Sequence, residues 1–283
     1  MTILSVELNK LVNPDNGHPF DVVYICADSR VTRGQTVTTE LAPKILPVHM
    51  AVGNKHGERH YFPPYGFGFA GSVLSASLTH GVAEHCLMAL FGDRGSVQPT
   101  VEEVARIYAF VAESQVREIG ARLPMEDAQA ALFEAVVCGF SPDTTRELHE
   151  PFTLPYPSPD LQVRCHEVDL SGGVFRIGLG ANEFDKARAE MSANGENPTC
   201  VNVIEKLLEQ QLHQSVGGYL QAATVDPSGF YQVELIHYTD RRAIPDAKYL
   251  GIDLAGIPRP KNFKFGQRAI GDGRGQTQIV TTH

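Results

Sequence analysis

Apolar and polar positions alternate along ILSVEL at 3–8, the period of a strand with one buried face. VVYICA at 22–27 is instead continuously apolar and rich in β-branched residues, which predicts a strand covered on both faces. The intervening NKLVNPDNGHPFD is dense in Asn, Pro, Gly and Asp and predicts a long hairpin loop. A second loop is predicted for HMAVGNKHGERHYFPPYG, after the apolar KILPV. GFGFAG at 66–71 then runs into a helix over roughly 73–91, where Leu74, Leu78, Val82 and Cys86 recur every four residues as one apolar stripe. A second helix is predicted from Thr100, because TVEE has the form of a capping box between Thr100 and Glu103. Val104, Ile107, Tyr108, Val111 and Ile119 mark its buried side.

Strand patterns return in ALFEAVVCGF, LQVRCHEVDL and VFRIGLG, separated by turn-rich segments. NEFDKARAEM and CVNVIEKLLEQQL read as two helices, the second with Val203, Ile204, Leu207 and Leu208 on one side. YLQAATV and FYQVELIH form a last pair of strands around the turn Asp226-Pro227-Ser228-Gly229. Helices therefore arrive in pairs rather than one after each strand. That pattern argues against a doubly wound parallel sheet and for an α+β fold, with antiparallel sheets packed face to face under helices. Residues 241–283 are rich in Gly and Pro with little periodicity, which predicts an extended or partly disordered C-terminal extension after a main domain of 1–240. No internal repeat is visible.

Composition narrows the classes of partner. The formal net charge is −9 and no run of Lys or Arg occurs, which argues against nucleic acid or an anionic membrane as the main partner. No stretch approaches the ~20 apolar residues of a membrane span. The N-terminus lacks a basic region and Glu7 interrupts its apolar run, so no signal peptide is expected and the expected location is cytoplasmic. Five cysteines without CxxC spacing read as reduced thiols. No HExxH or paired Cys/His ligands occur, and His80 and His85 do not share a helix face, so neither a metal nor another cofactor is expected.

The common catalytic motifs are also missing. GFAGSVL is not a nucleophile elbow, GLGA lacks the third glycine of a dinucleotide fingerprint, and there is no Walker sequence. Thr2 offers a different chemistry. Removal of Met1 would leave a hydroxyl and a free α-amine on one residue, and an amine with a pKa near ~8 can take the hydroxyl proton close to neutral pH. A nearby lysine would tune both groups, and a backbone N–H at a glycine-rich helix start would hold an oxyanion.

Thr2 is followed in order by ADSRVTRG at 27–34, PKI at 43–45 and GFAGS at 68–72. With these, the sequence resembles proteasome β-subunits and the bacterial proteasome-like peptidase HslV, which are N-terminal-nucleophile threonine hydrolases. The resemblance continues through VVCGFSPD, GLGANEF and GGYLQAATVDPSGF and covers nearly all of residues 2–238. It implies a four-layer αββα sandwich, a peptide or protein substrate, a homo-oligomeric ring, and room for a regulatory ATPase as partner. By the same resemblance Thr2 is nucleophile and base, Lys44 tunes it, Asp28 holds Lys44 charged, and the N–H of Gly71 forms the oxyanion hole. Thr32, Ser72 and Arg30 are placed at the substrate cleft.

The sequence also departs from the family pattern. Leu179 stands where the family has a serine between two glycines, and His213 and Val216 stand where it has an aspartate and a serine before Gly217-Gly218. Ser215, one residue away, and His213 are candidates to supply the missing polar groups. Three functions are consistent with this set: a threonine peptidase in a ring; a catalytically weak or inactive proteasome-like scaffold; and an amidase or transpeptidase acting on a small substrate through the same acyl-enzyme.

Overall fold

A computed structural model describes residues 2–12, 17, 19–33, 36–92, 97–124, 130–141, 146–153, 163–168, 170, 173–210, 216–233, 236–237, 246–249 and 252–253. In chain order, β1 (Leu4–Val12), β2 (Pro19–Asp28), the short pair β3 (Val31–Arg33) and β4 (Thr36–Thr39), β5 (Ile45–Gly53) and β6 (Arg59–Gly71) lead into α1 (Val73–Met88). β7 (Leu90–Phe91) and α2 (Val101–Arg122) follow, and then β8 (Phe133–Phe140), β9 (Arg146–Thr153), β10 (Val163–Glu167) and β11 (Val174–Ile177). α3 (Ala181–Ala193) and α4 (Cys200–Gln210) precede β12 (Leu220–Asp226) and β13 (Gly229–Val233). Three short strands, β14 (Ile236–His237), β15 (Asp246–Tyr249) and β16 (Ile252–Asp253), form a small sheet beyond them.

The two main sheets have the orders β11-β1-β2-β12-β13 and β10-β9-β8-β6-β5-β7, antiparallel except for the β5–β7 pair. Three apolar clusters explain how they are covered. Leu4, Val6, Val23 and Ile25 of the first sheet pack with Ala70, Val136 and Cys138 of the second. Phe67, Phe69 and Val137 of the second sheet pack under α1 and α2 through Ala83, Leu87, Val104 and Tyr108. Ile3, Cys26 and Ala222 pack under α3 and α4 through Phe184, Val203 and Ile204. The close approach of the sheets explains two glycines in β6: a Cβ at Gly68 would lie 2.5 Å from Leu4 Cδ1, and one at Gly66 would lie 2.7 Å from Ile25 Cδ1.

Several local expectations need correction. Both predicted loops are largely paired backbone. The β1–β2 ladder continues to Val12↔Pro19, with proline tolerated because it opens the strand. Residues 49–66 form the outer half of the β5–β6 hairpin, and the Pro63-Pro64 pair lies where the register shifts between Val48 and Met50. A proline that cannot donate to the ladder fits at such an irregularity. The actual turn is short: Asn54 Oδ1 accepts from the His56 and Glu58 N–H groups at 2.9 and 3.1 Å, and Gly57 takes φ +79°. β9, in a segment read as turns, pairs with β8 and β10.

Helix α1 also shows the opposite face from the one its stripe suggested. Leu74, Leu78, Val82 and Cys86 are exposed, while Ser75, Ala76, Thr79, Ala83 and Leu87 are buried. Small residues on the inner face allow the helix to lie close to α2 and the sheet. α2 is as expected, with Thr100 N–H donating to Glu103 Oε2 at 2.8 Å and Glu103 N–H donating to Thr100 Oγ1 at 3.2 Å. Of its five marked positions, Val104, Tyr108 and Val111 are buried and Ile107 and Ile119 are partly covered. Among the described residues no helix is long and apolar enough to cross a membrane, and no group of His, Cys, Asp and Glu could hold a metal ion. Of the cysteines, Cys26, Cys138 and Cys200 are buried, Cys165 is half-buried, and none of the five is in a disulfide.

Urea unfolding tests the face of α1. Leu87→Ala, at a fully buried position, is expected to cost about 2–5 kcal/mol. Leu78→Ala should stay within about 0.5 kcal/mol. Equal costs would contradict the observed orientation of the helix.

Candidate active site

Thr2 sits immediately before β1 and is only 6% exposed. Register brings the other residues to it. β1 is paired between β2 and β11, so the end of β2 at Asp28 lies beside the start of β1, and the Asp28 N–H donates to the Ile3 carbonyl at 3.3 Å. Lys44 directly precedes β5 in the other sheet, and its N–H is fixed by Gln221 Oε1 at 2.8 Å. The site therefore spans both sheets.

Lys44 and Asp28 are both completely buried and form an ion pair at 2.9 Å between Nζ and Oδ1. Lys44 Nζ also donates to the Arg30 carbonyl at 2.7 Å and to Thr2 Oγ1 at 3.3 Å. These three acceptors match the three hydrogens of an ammonium. Asp28 Oδ1 accepts a second bond from the Ile3 N–H at 3.1 Å, and Oδ2 accepts from the Gly217 N–H at 3.3 Å. Burial pushes Lys44 below the ordinary lysine range, opposed by attraction to Asp28. Burial likewise pushes Asp28 up, opposed by Lys44 and by the two backbone N–H groups. Because Thr2 Oγ1 accepts from Lys44, its own hydrogen is left to point to another acceptor.

A cleft of about 590 Å³ opens over Thr2, lined among others by Thr32, Gly71, Ser72, Gly178 and Leu179. Gly71 has φ +106°, and a Cβ there would lie 2.8 Å from the Leu132 carbonyl oxygen, so no other residue fits without strain. Gly178 has φ +92°, and a Cβ there would collide with the Thr2 carbonyl oxygen. That carbonyl accepts from the Gly180 N–H at 3.3 Å. Ser72 both borders the cleft and caps α1, its hydroxyl accepting from the Ser75 N–H at 3.4 Å.

Thr2, Asp28, Lys44 and Gly71 are thus gathered at one place, with Thr32 and Ser72 on the cleft wall. Arg30 is not among the lining residues. Its guanidinium pairs with Glu40 at 2.6 Å and reaches the Val216 carbonyl at 3.5 Å, while its own carbonyl serves Lys44. His213 and Ser215 lie outside the described residues. Of the departures from the family pattern, Leu179 is 71% exposed in the cleft and Val216 is 4% exposed among the residues of α3 and α4.

Sequence reasoning missed three supporting side chains. Gln221 bonds the Lys44 N–H and donates from Nε2 to the carbonyls of Asp28 and Ala42 at 3.1 and 2.9 Å. A single amide inside the apolar run of β12 was the available signal. Ser29 accepts from the Tyr219 N–H at 2.6 Å and donates to the Glu40 carbonyl. Glu134, on the edge of the cleft, accepts from the Gly178 N–H at 2.7 Å.

No family model matches the chain, and no curated protein matches it. Solved structures do. The fold is similar to a mutant form of Anbu from Hyphomicrobium sp. strain MC1, with a TM-score of 0.50 and 13% identity over 82% of this chain and 85% of that one. It is also similar to Anbu, described as an ancestral beta-subunit, from Yersinia bercovieri, with a TM-score of 0.48 and 14% identity over 82% of this chain and 86% of that one. At 13% identity the first likeness is one of fold alone, a mixed α+β arrangement.

The ion pair makes a specific thermodynamic prediction. Removing either partner leaves a buried charge, so Asp28→Ala and Lys44→Met should each destabilise the chain by about 3–5 kcal/mol. The double variant should cost clearly less than the two together, as measured by urea unfolding. Additive costs would mean that the two groups do not depend on each other.

Proposed function

We propose that the chain is an N-terminal-nucleophile threonine hydrolase that cleaves peptide or related amide bonds through an acyl-enzyme on Thr2. The observation that carries this reading is the contact of Thr2 Oγ1 with Lys44 Nζ, backed by buried Asp28, at the floor of an open cleft.

The chemistry follows from the groups in place. With Met1 removed, the Thr2 amine takes the hydroxyl proton as Oγ1 attacks the substrate carbonyl. The tetrahedral oxyanion is held by the Gly71 N–H, and Lys44 stabilises the oxygen through which the bond forms. The same amine then gives its proton to the leaving nitrogen, and the acyl ester remains on Thr2. Water, deprotonated by the amine, attacks the ester and releases the acid, restoring the hydroxyl.

The three apolar clusters support a four-layer αββα sandwich. A hydrolase domain of 1–240 with 241–283 as an extension is carried by the sequence alone, and the β14–β15 pair crosses that boundary. A homo-oligomeric ring, a regulatory ATPase and a cytoplasmic setting are carried by the resemblance in sequence. A second reading, a catalytically weak scaffold, is favoured by one observation: Leu179 projects into the cleft where a hydrogen-bonding serine would support the amine.

Hydrolysis of fluorogenic peptide amides by the purified protein separates the two. Thr2→Ala and Lys44→Ala are expected to reduce turnover to background, with Thr2→Ser retaining part of it. Unchanged turnover in Thr2→Ala would remove Thr2 from the mechanism, and no turnover in the unaltered protein would favour the scaffold.

A further inference from the structure

Among the described residues that line the cleft, Glu134 is the single ionisable side chain, and its surroundings are apolar or hydroxyl-bearing. Glu134 pairs in register with Ala70 across β6 and β8, so the two side chains share a face. A Cβ built on Gly178 would lie 3.0 Å from the Ala70 Cβ, which places the tip of β11 against that same face. Glu134 Oε2 accepts from the Gly178 N–H at 2.7 Å, and the Cβ position of Gly178 that meets Ala70 also meets the Thr2 carbonyl oxygen. The carboxylate is therefore held one residue away from the nucleophile.

Two features suit this carboxylate to a ligand rather than to the fold. It is exposed, and among the described residues Oε1 has no hydrogen bond or ion pair. The Gly178 bond fixes its orientation in advance, which lowers the entropy lost when a partner binds. Leu132 and Leu179 stand beside it on the cleft wall. An apolar wall ending in one oriented carboxylate matches an alkyl stem ending in a cation, and the low-dielectric wall strengthens the attraction over its value in water.

Resting on the threonine-hydrolase reading, we propose that Glu134 is a specificity-determining residue that selects substrates carrying lysine or arginine beside the bond to be cleaved. The stem of that side chain lies along Leu179, and its charged head meets Glu134 Oε1. Leu179, which is a defect if the position exists only to support the amine, becomes part of the wall that receives the stem.

The test uses binding, so that it does not depend on turnover. Capped pentapeptides of alanine with a central lysine or a central norleucine are titrated into the Thr2→Ala protein by calorimetry at low ionic strength. The lysine peptide should bind at least about tenfold more tightly, as expected for a charge-assisted bond in a partly apolar site. In Thr2→Ala/Glu134→Gln the two affinities should become equal, and in Thr2→Ala/Glu134→Lys a central glutamate should be preferred. Equal affinities in the parent, failure of both peptides to bind, or a lysine preference that survives Glu134→Gln would each overturn the proposal. If Glu134→Gln alone abolishes modification of Thr2 by a β-lactone while the lysine preference is unchanged, the carboxylate serves the Thr2 amine instead, and the proposal also falls. Absence of hydrolysis with the preference intact would count against the threonine-hydrolase reading and not against this one.

Discussion

The buried pair of Lys44 and Asp28 sets the terms for the rest of the structure. Two opposite charges can be withdrawn from water only if their remaining hydrogens and lone pairs are filled. Here the partners come from separate parts of the chain: Thr2 and Ile3 at the start of β1, the Arg30 carbonyl after β2, and Gly217 before β12. Satisfying one ammonium and one carboxylate thus fixes the relative positions of four segments. Gln221 closes the arrangement by tying Lys44 and Ala42 to the end of β2.

Such a pair is weak evidence for stability, since well-packed apolar residues of similar volume often serve the fold as well or better. In the proposed hydrolase, its place at the floor of a cleft would serve the contact between Lys44 Nζ and Thr2 Oγ1. The glycines at the rim follow from the same geometry. Gly71 and Gly178 both take positive φ and both lie where a side chain would strike backbone.

The spatial convergence of a few residues was more legible in the sequence than the local structure around them. The convergence of Thr2, Asp28, Lys44 and Gly71 was legible because their order and spacing resemble a known pattern, and it needed no knowledge of the sheets. The elements were harder to read for definable reasons. The α1 stripe of Leu74, Leu78 and Val82 has helical period, but the inner face is mostly Ser75, Ala76, Thr79 and Ala83, because a close helix contact favours small residues over large ones. Pro63-Pro64 signals a loop in one dimension and falls at a register shift of a long strand in three. Glu134 and Gln221 look like ordinary polar residues until cross-strand partners place them beside Gly178 and Lys44. Periodicity reports which face is apolar, not what approaches it.

The central claim is that Thr2, once it is the terminal residue, is a reactive nucleophile. Intact-mass measurement of the purified protein before and after treatment with a β-lactone, followed by peptide mapping, tests it most directly. The account predicts loss of Met1 and a single adduct on the Thr2 oxygen, absent in Lys44→Ala. Retention of Met1, or a free terminal threonine that does not react, would contradict it.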